Sequence, residues 1–117
     1  MILKELIVKF FVMSVLIGIS IFPLDKGESV SEYVARAVEV IEKSGLPYLL
    51  TPMETVIETD NIESALKIVE DCFKALERDC NRIIVNIKID FRKAKSGRIK
   101  AKIESVEKKL GKSLSKV

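Results

Sequence analysis

Residues 82–92 read R-I-I-V-N-I-K-I-D-F-R. In an extended chain Ile83, Val85, Ile87, Ile89 and Phe91 fall on one side, and Arg82, Ile84, Asn86, Lys88, Asp90 and Arg92 on the other. A period of two over this length predicts a β-strand. Its apolar side is expected to be buried. Its polar side is expected to be bare, as in an antiparallel sheet covered by helices on one face only.

The flanking segments supply the rest of such a sheet. Upstream, Ile62, Ala65, Leu66, Val69, Phe73 and Leu76 recur at helical spacing behind the capping signature Asp60-Asn-Ile-Glu63. They predict a helix over 61–79, broken by Asp79-Cys-Asn81. Tyr48–Thr51 and Glu54–Thr59 read as two short strands around Thr51-Pro-Met53. Pro52 has no N–H for a ladder, so it belongs at a turn or an edge. Val30, Val34, Ala37, Val38 and Ile41 predict a helix over 30–44. Ser29 and Glu32 would form its capping box, Gly45 its left-handed end, and Pro47 its stop. Earlier still, Val15, Ile17, Ile19 and Ile21 alternate with Ser14, Leu16, Gly18, Ser20 and Phe22, which predicts the first strand. Downstream, Lys93–Gly97 is a loop. Ile99, Ile103, Val106 and Leu110 mark a third helix that frays into residues 112–117.

The order β-α-β-β-α-β-α predicts an α+β fold: a ferredoxin-like βαββαβ sandwich with a four-stranded antiparallel sheet plus a C-terminal helix. First and last strands are then neighbours. Gly18 and Ser20 are expected beside Asn86, Lys88 and Asp90 on the uncovered face. The domain is expected over 13–111, with 112–117 as a basic tail. Residues 1–12 read as an N-terminal extension: a mis-assigned start, with translation from Met13, or a prolongation of the first strand.

Composition narrows the function classes. The chain has 117 residues, 48% hydrophobic and 32% charged, which is the composition of one globular domain. A net charge of +3, with both signs mixed along the chain, calls for no nucleic-acid or membrane partner. The uninterrupted apolar run Phe10–Phe22 is shorter than the ~20 residues of a membrane span. The period of two favours a strand over a signal peptide. Histidine is absent, so the commonest general base and metal ligand are missing. The two cysteines, Cys72 and Cys80, both fall in the second predicted helix, about 12 Å apart at ~1.5 Å per residue. That is too far for a disulfide, and two thiols without other soft ligands make no metal site. They are expected to be small apolar residues in a reducing, cytoplasmic interior.

No catalytic constellation is found, and an enzyme is not expected. There is no phosphate-binding glycine loop, dinucleotide fingerprint or nucleophile elbow. Glu54 and Glu58 would lie about 13 Å apart along a strand at ~3.3 Å per residue, too far to share a proton. The basic run Arg92, Lys93, Lys95, Arg98, Lys100 and Lys102 carries no aromatic on the polar strand face, and Glu104 and Glu107 follow. It is expected to be a solvated loop and helix face. The remaining chemistry lies on the sheet. Asn86, Lys88 and Asp90 form a polar row, and Met53-Glu-Thr-Val-Ile-Glu58 adds Thr55 and Glu58. Carboxylates, a hydroxyl and an amide around an apolar floor can orient a small heteroaromatic ligand.

Three blocks, I-S-I-F-P-L-D-K-G-E-S-V-S-E-Y-V, S-G-L-P-Y-L-L-T-P-M-E-T-V-I-E-T and V-N-I-K-I-D-F-R, together resemble the small thiamine-binding-protein family, formerly uncharacterised conserved proteins. The resemblance runs from about Met13 to Leu110. It implies a ferredoxin-like fold, assembly into dimers or tetramers through the sheets, no cofactor, no established catalysis and, for some members, binding of thiamine or its hydroxymethylpyrimidine part. Matching pattern positions without an obvious turn or cap role are Tyr48, Met53, Thr55, Glu58, Lys88 and Asp90. With Asn86 from the polar row they are the candidate ligand residues. Family members usually have glycine where Glu54 stands, so a side chain there is expected to narrow a pocket or change the ligand.

Thiamine suits such a site. Its thiazolium is a fixed cation that a carboxylate or aromatic face attracts. Thr55, Asn86 or Glu58 could match the donors and acceptors of its aminopyrimidine. The expectation is a cytoplasmic homo-oligomer that holds a thiamine-like pyrimidine at the sheet surface between subunits. The alternative is a structural or regulatory oligomer with no small ligand, its sheet face serving as the subunit contact. The short apolar edge Tyr48–Thr51 suits pairing with another chain.

Overall fold

A computed structural model describes Leu3 and residues 12–116. The expectations for the extension before Met13 lie outside these residues, Leu3 and Val12 apart. Seven elements follow in the expected order: β1 (Met13–Pro23), α1 (Ser31–Lys43), β2 (Tyr48–Leu50), β3 (Thr55–Thr59), α2 (Ile62–Glu77), β4 (Ile83–Lys93) and α3 (Arg98–Leu110). The strands form one sheet in the order β2-β3-β1-β4, and every pair is antiparallel. This is the ferredoxin-like α+β arrangement, with its first and last strands adjacent.

Register fixes both faces. Ile17 lies between Ile57 of β3 and Ile89 of β4, and Ile19 between Thr55 and Ile87. These residues share the helix-facing side. On the opposite side Gly18 pairs with Lys88, Ser20 with Asn86, and Leu16 with both Asp90 and Glu58. The expected row beside Gly18 and Ser20 is therefore present.

The core is made by Val15, Ile17, Ile19, Ile21 and Ile57 from the sheet, Ala37 and Ile41 from α1, and Ala65, Ile68, Cys72 and Leu76 from α2. Each fully buried isoleucine contributes roughly 1.5–3 kcal/mol. The inward face of α2 is rotated from the expected one. Ala65 and Cys72 are fully buried, the Cys72 thiol 3.6 Å from the Ala37 carbonyl of α1, while Ile62 and Leu66 are exposed. Cys80 lies just beyond α2 rather than within it. Both thiols are free and buried, and burial pushes the Cys72 thiol up to about 12.

Local signals act unevenly. The signature at 60–63 caps α2 one residue later than expected: Asn61 rather than Asp60 is the N-cap, its Oδ1 accepting from the Ser64 N–H at 2.8 Å. The Ser29–Glu32 capping box does not form. Val30 is the N-cap of α1, and its carbonyl accepts from the N–H groups of Tyr33 and Val34, both at 3.0 Å. Glu32 lies two residues past that cap and faces Arg36 one turn on, at 3.7 Å. Gly45 ends the segment after α1 with φ +75°, a conformation costly for any residue with a β-carbon.

Two expectations about coverage are corrected. The apolar side of β4 is not buried along its length: Ile87, Ile89 and Phe91 are 41%, 43% and 51% exposed, while Ile83 and Val85 pack against the core. β4 is the edge strand, and the two-helix layer stops short of its second half. Nor are helices confined to one face. α3 crosses the opposite face at the end where Ser14, Glu58 and Asp90 lie, as the bonds of Arg98 to these residues show.

Candidate functional site

The seven candidate residues fall in three places. The first is a cavity of about 330 Å³ between α1 and the far end of the β2–β3 hairpin. Its walls are Ile19, Val34, Ala37, Val38, Ile41 and Leu50, and Thr51–Thr55 form its rim. Thr51 shapes that rim. Its hydroxyl donates to the Glu54 carbonyl at 2.6 Å and accepts from the Glu54 N–H at 3.1 Å, while its own N–H reaches the same carbonyl at 3.0 Å. A tight turn results, with Pro52 inside it and Met53 at the tip, 84% exposed. Thr55 pairs with Ile19, so its buried side chain faces the helix layer and the cavity. Candidates Met53 and Thr55 thus share one site.

The second place is a wider cavity of about 530 Å³ between the start of β2, the end of β3 and the start of α3. Tyr48 and Glu58 line it, with Thr59, Gly97, Ile99 and Lys100. The Glu58 carboxylate is already engaged. One oxygen accepts from the Ser14 hydroxyl at 2.6 Å, and the other accepts from the Arg98 backbone N–H at 2.9 Å. It therefore caps the N-terminus of α3, where a negative group is favoured.

Arg98 is only 4% exposed and ties this end together. Its Nε donates to the Ser14 hydroxyl at 3.0 Å, and its Nη2 to the Ser14 carbonyl at 3.0 Å and to the Asp90 carbonyl. Its Nη1 meets the Asp90 carboxylate at 3.0 Å, and Lys102 reaches the other carboxylate oxygen at 2.7 Å. Lys102 and Arg98 hold the Asp90 carboxyl at about 2, well below the usual carboxylate value. The expected solvated basic face is thus corrected at Arg98. The guanidinium pairs with Asp90 and bonds Ser14, while the Glu58 carboxylate is held by the Ser14 hydroxyl and the Arg98 backbone N–H.

The third place is the open sheet face itself. The Glu54 carboxylate lies over Gly18, where it pairs with Lys88 at 3.0 Å. A β-carbon at Gly18 would come within 2.7 Å of that carboxylate, so the glycine provides the space. Asn86 is exposed in the same row. Lys88 and Asp90 do not meet one another; each is paired within its own region.

Ser14, Thr51 and Arg98 were absent from the sequence-derived candidates. Thr51 could have been found as a hydroxyl preceding a turn proline. Ser14 and Arg98 are 84 positions apart and meet only through the sheet register. Among the described residues no group of acidic and cysteine side chains is arranged to hold a metal ion, and no helix is long and apolar enough to cross a membrane.

Comparison with known proteins places this geometry in context. Residues 17–107 match the family model described as "Thiamine-binding protein". The chain is 36% identical over 96 residues to the UPF0045 protein of Methanocaldococcus jannaschii, covering 82% of this chain and 95% of that one. The solved structure of that archaeal protein superposes with a TM-score of 0.73, covering 80% of this chain and 95% of its own. A UPF0045 protein of Mycobacterium bovis is 36% identical over 98 residues, covering 84% of this chain and 96% of that one. A Thermotoga maritima protein, named as a candidate thiamine biosynthesis/salvage protein, shares the fold with a TM-score of 0.65 at 23% identity, covering 76% of this chain and 97% of its own. The chain therefore belongs to the thiamine-binding protein family.

Proposed function

We propose that this protein is a cytoplasmic homo-oligomer that binds thiamine or a hydroxymethylpyrimidine-like heteroaromatic in the cavity between α1 and the β2–β3 turn. The observation that carries the reading is the coincidence of the family match with a 330 Å³ cavity whose rim holds Met53 and Thr55. Its volume lies in the ~300–1,000 Å³ range of small-molecule sites. The aliphatic wall suits a ring, the Thr55 hydroxyl can both donate and accept, and the exposed Met53 thioether can close over an aromatic face. Glu58 and Asp90 serve this reading indirectly, by fixing α3 on the sheet. Binding is taken to be the whole activity, with no chemical step.

Isothermal titration with thiamine and with hydroxymethylpyrimidine tests the proposal. Saturable heat with micromolar affinity, about 8 kcal/mol, is expected. Thr55→Val, which keeps the shape and removes the hydroxyl, is expected to weaken binding about tenfold. No heat and no thermal shift at millimolar ligand would remove the reading.

The second reading is an oligomer with no small ligand. The exposed apolar row of β4 and the paired charges of the open face favour it, since both suit contact with another chain. Assembly with neither ligand binding nor a ligand-dependent melting temperature would select it.

A further inference from the structure

We propose that the cavity between α1 and the β2–β3 turn selects a positively charged, unphosphorylated ring ligand, and that Glu54 is the residue that reads the charge: its carboxylate leaves Lys88 and takes the fixed cation of the ligand. The inference rests on the ligand-binding reading above and adds the charge of the ligand and the group that recognises it.

Glu54 is the one charged residue among those that line the cavity. Among the described residues no lysine or arginine lines it, so a phosphate ester would find no opposite charge there. A single carboxylate beside aliphatic walls favours a cation, because low-dielectric surroundings strengthen the attraction. The place of Glu54 in the sheet suits this role. β3 begins at Thr55, opposite Ile19, whereas β1 runs on to Pro23. The cavity lies at that step. It is lined by Ile19 and Ile21 from the helix-facing side of β1 and by Ser20 and Phe22 from the open side. Gly18, over which the carboxylate rests, and Ser20 are successive positions on the open side, about 7 Å apart at ~3.3 Å per residue. Rotation of the Glu54 side chain spans that distance.

The attachment of Glu54 leaves only its side chain free to move. Thr51 pins the backbone, its hydroxyl donating to the Glu54 carbonyl and accepting from the Glu54 N–H. The carboxylate is paired with Lys88, whose side chain is 77% exposed. Such a pair is weak, because water screens it and two long side chains must be ordered to make it. Lys88 therefore balances the carboxylate without locking it. A thiazolium is a better partner at the cavity mouth. Its charge is permanent and delocalised, and like a guanidinium it sheds water more readily than an ammonium. A neutral pyrimidine offers no such exchange and leaves the pair in place.

The test is titration calorimetry with thiamine, thiamine phosphate and hydroxymethylpyrimidine on the wild type, Glu54→Gln and Lys88→Met. Glu54→Gln keeps the size and removes the charge. It is expected to weaken thiamine about tenfold and to change hydroxymethylpyrimidine by less than about twofold. Added salt should weaken thiamine binding to the wild type and leave Glu54→Gln nearly unaffected. Lys88→Met removes the competing cation and should tighten thiamine about threefold. Thiamine phosphate should bind the wild type more weakly than thiamine. Both variants should keep the circular dichroism and melting temperature of the wild type, because the exposed pair contributes little to folding. Equal losses for thiamine and hydroxymethylpyrimidine in Glu54→Gln would show that the side chain only shapes the rim. That result, an unchanged thiamine affinity in the same variant, or tighter binding of thiamine phosphate than of thiamine would overturn the charge selection and leave the ligand-binding reading standing. Weaker thiamine binding in Lys88→Met would overturn the exchange. A wild type that binds none of the three compounds would remove the reading and the inference together.

Discussion

β1 and β4 are neighbours of equal length, run antiparallel, and each carries an apolar row on its helix-facing side. Yet Val15, Ile17 and Ile19 are buried, while their partners Phe91, Ile89 and Ile87 are exposed. Alternation states which side of a strand is apolar. Whether that side is covered depends on position in the sheet. β1 is flanked by strands on both edges and lies beneath α1 and α2, whereas β4 ends the sheet beyond their reach. The open face repeats the contrast along its length. One end is closed by α3 through Arg98, and the other is left with Glu54, Lys88 and Asn86 at the surface.

The contrast can be broken most strongly at the closed end. Arg98→Met keeps bulk but removes the guanidinium that bonds the Ser14 hydroxyl, the Ser14 and Asp90 carbonyls and the Asp90 carboxylate. It should cost about 3–5 kcal/mol in urea unfolding, because several buried acceptors lose their donor at about 1–3 kcal/mol each, and free the amides of α3 to exchange. Ile17→Ala, at the centre of β1, should cost about 2–5 kcal/mol by removing contacts and leaving a void.

A smaller effect concerns acid. The Asp90 carboxyl is held at about 2 by Lys102 and Arg98, below its unfolded value near 4. Between these values the unfolded chain binds more protons, so stability should rise with pH from 2 to 4 and stay level above. Stability loss on acidification through that window should be shallower in Asp90→Asn; equal slopes for the two proteins would show that the pairing contributes nothing. The smallest effect should come from Ile87→Ala. Measured in urea unfolding, it should cost below about 1 kcal/mol, far less than its counterpart on β1.

The legible part of this protein was local. Alternation in residues 15–21 and 83–91, the helical spacing of 30–41, and Gly45 with Pro47 placed the elements to within a few residues. The 60–63 signature marked the start of α2 but one residue early, with Asn61 rather than Asp60 as the cap, and the serine at 29 capped nothing, because capping depends on the residue at which the helix begins. The candidate site was legible only in pieces. Met53 and Thr55 share a cavity, but Tyr48 and Glu58 belong to another, and Lys88 and Asp90 are held apart by different partners. Glu58 looked available because nothing near it in the chain could satisfy a buried carboxylate. The groups that do so are Ser14 and the Arg98 backbone.

The order of strands and helices, the side of each strand that avoids water and the absence of histidine chemistry were determined by the sequence alone, because each depends on neighbouring residues or on composition. The cover over β1, the exposure of β4, the burial of Arg98 and the division of the candidate residues among separate sites were decided by tertiary structure. They depend on which elements meet across 40 to 84 positions of chain, a matter of sheet order and helix reach that no local period encodes.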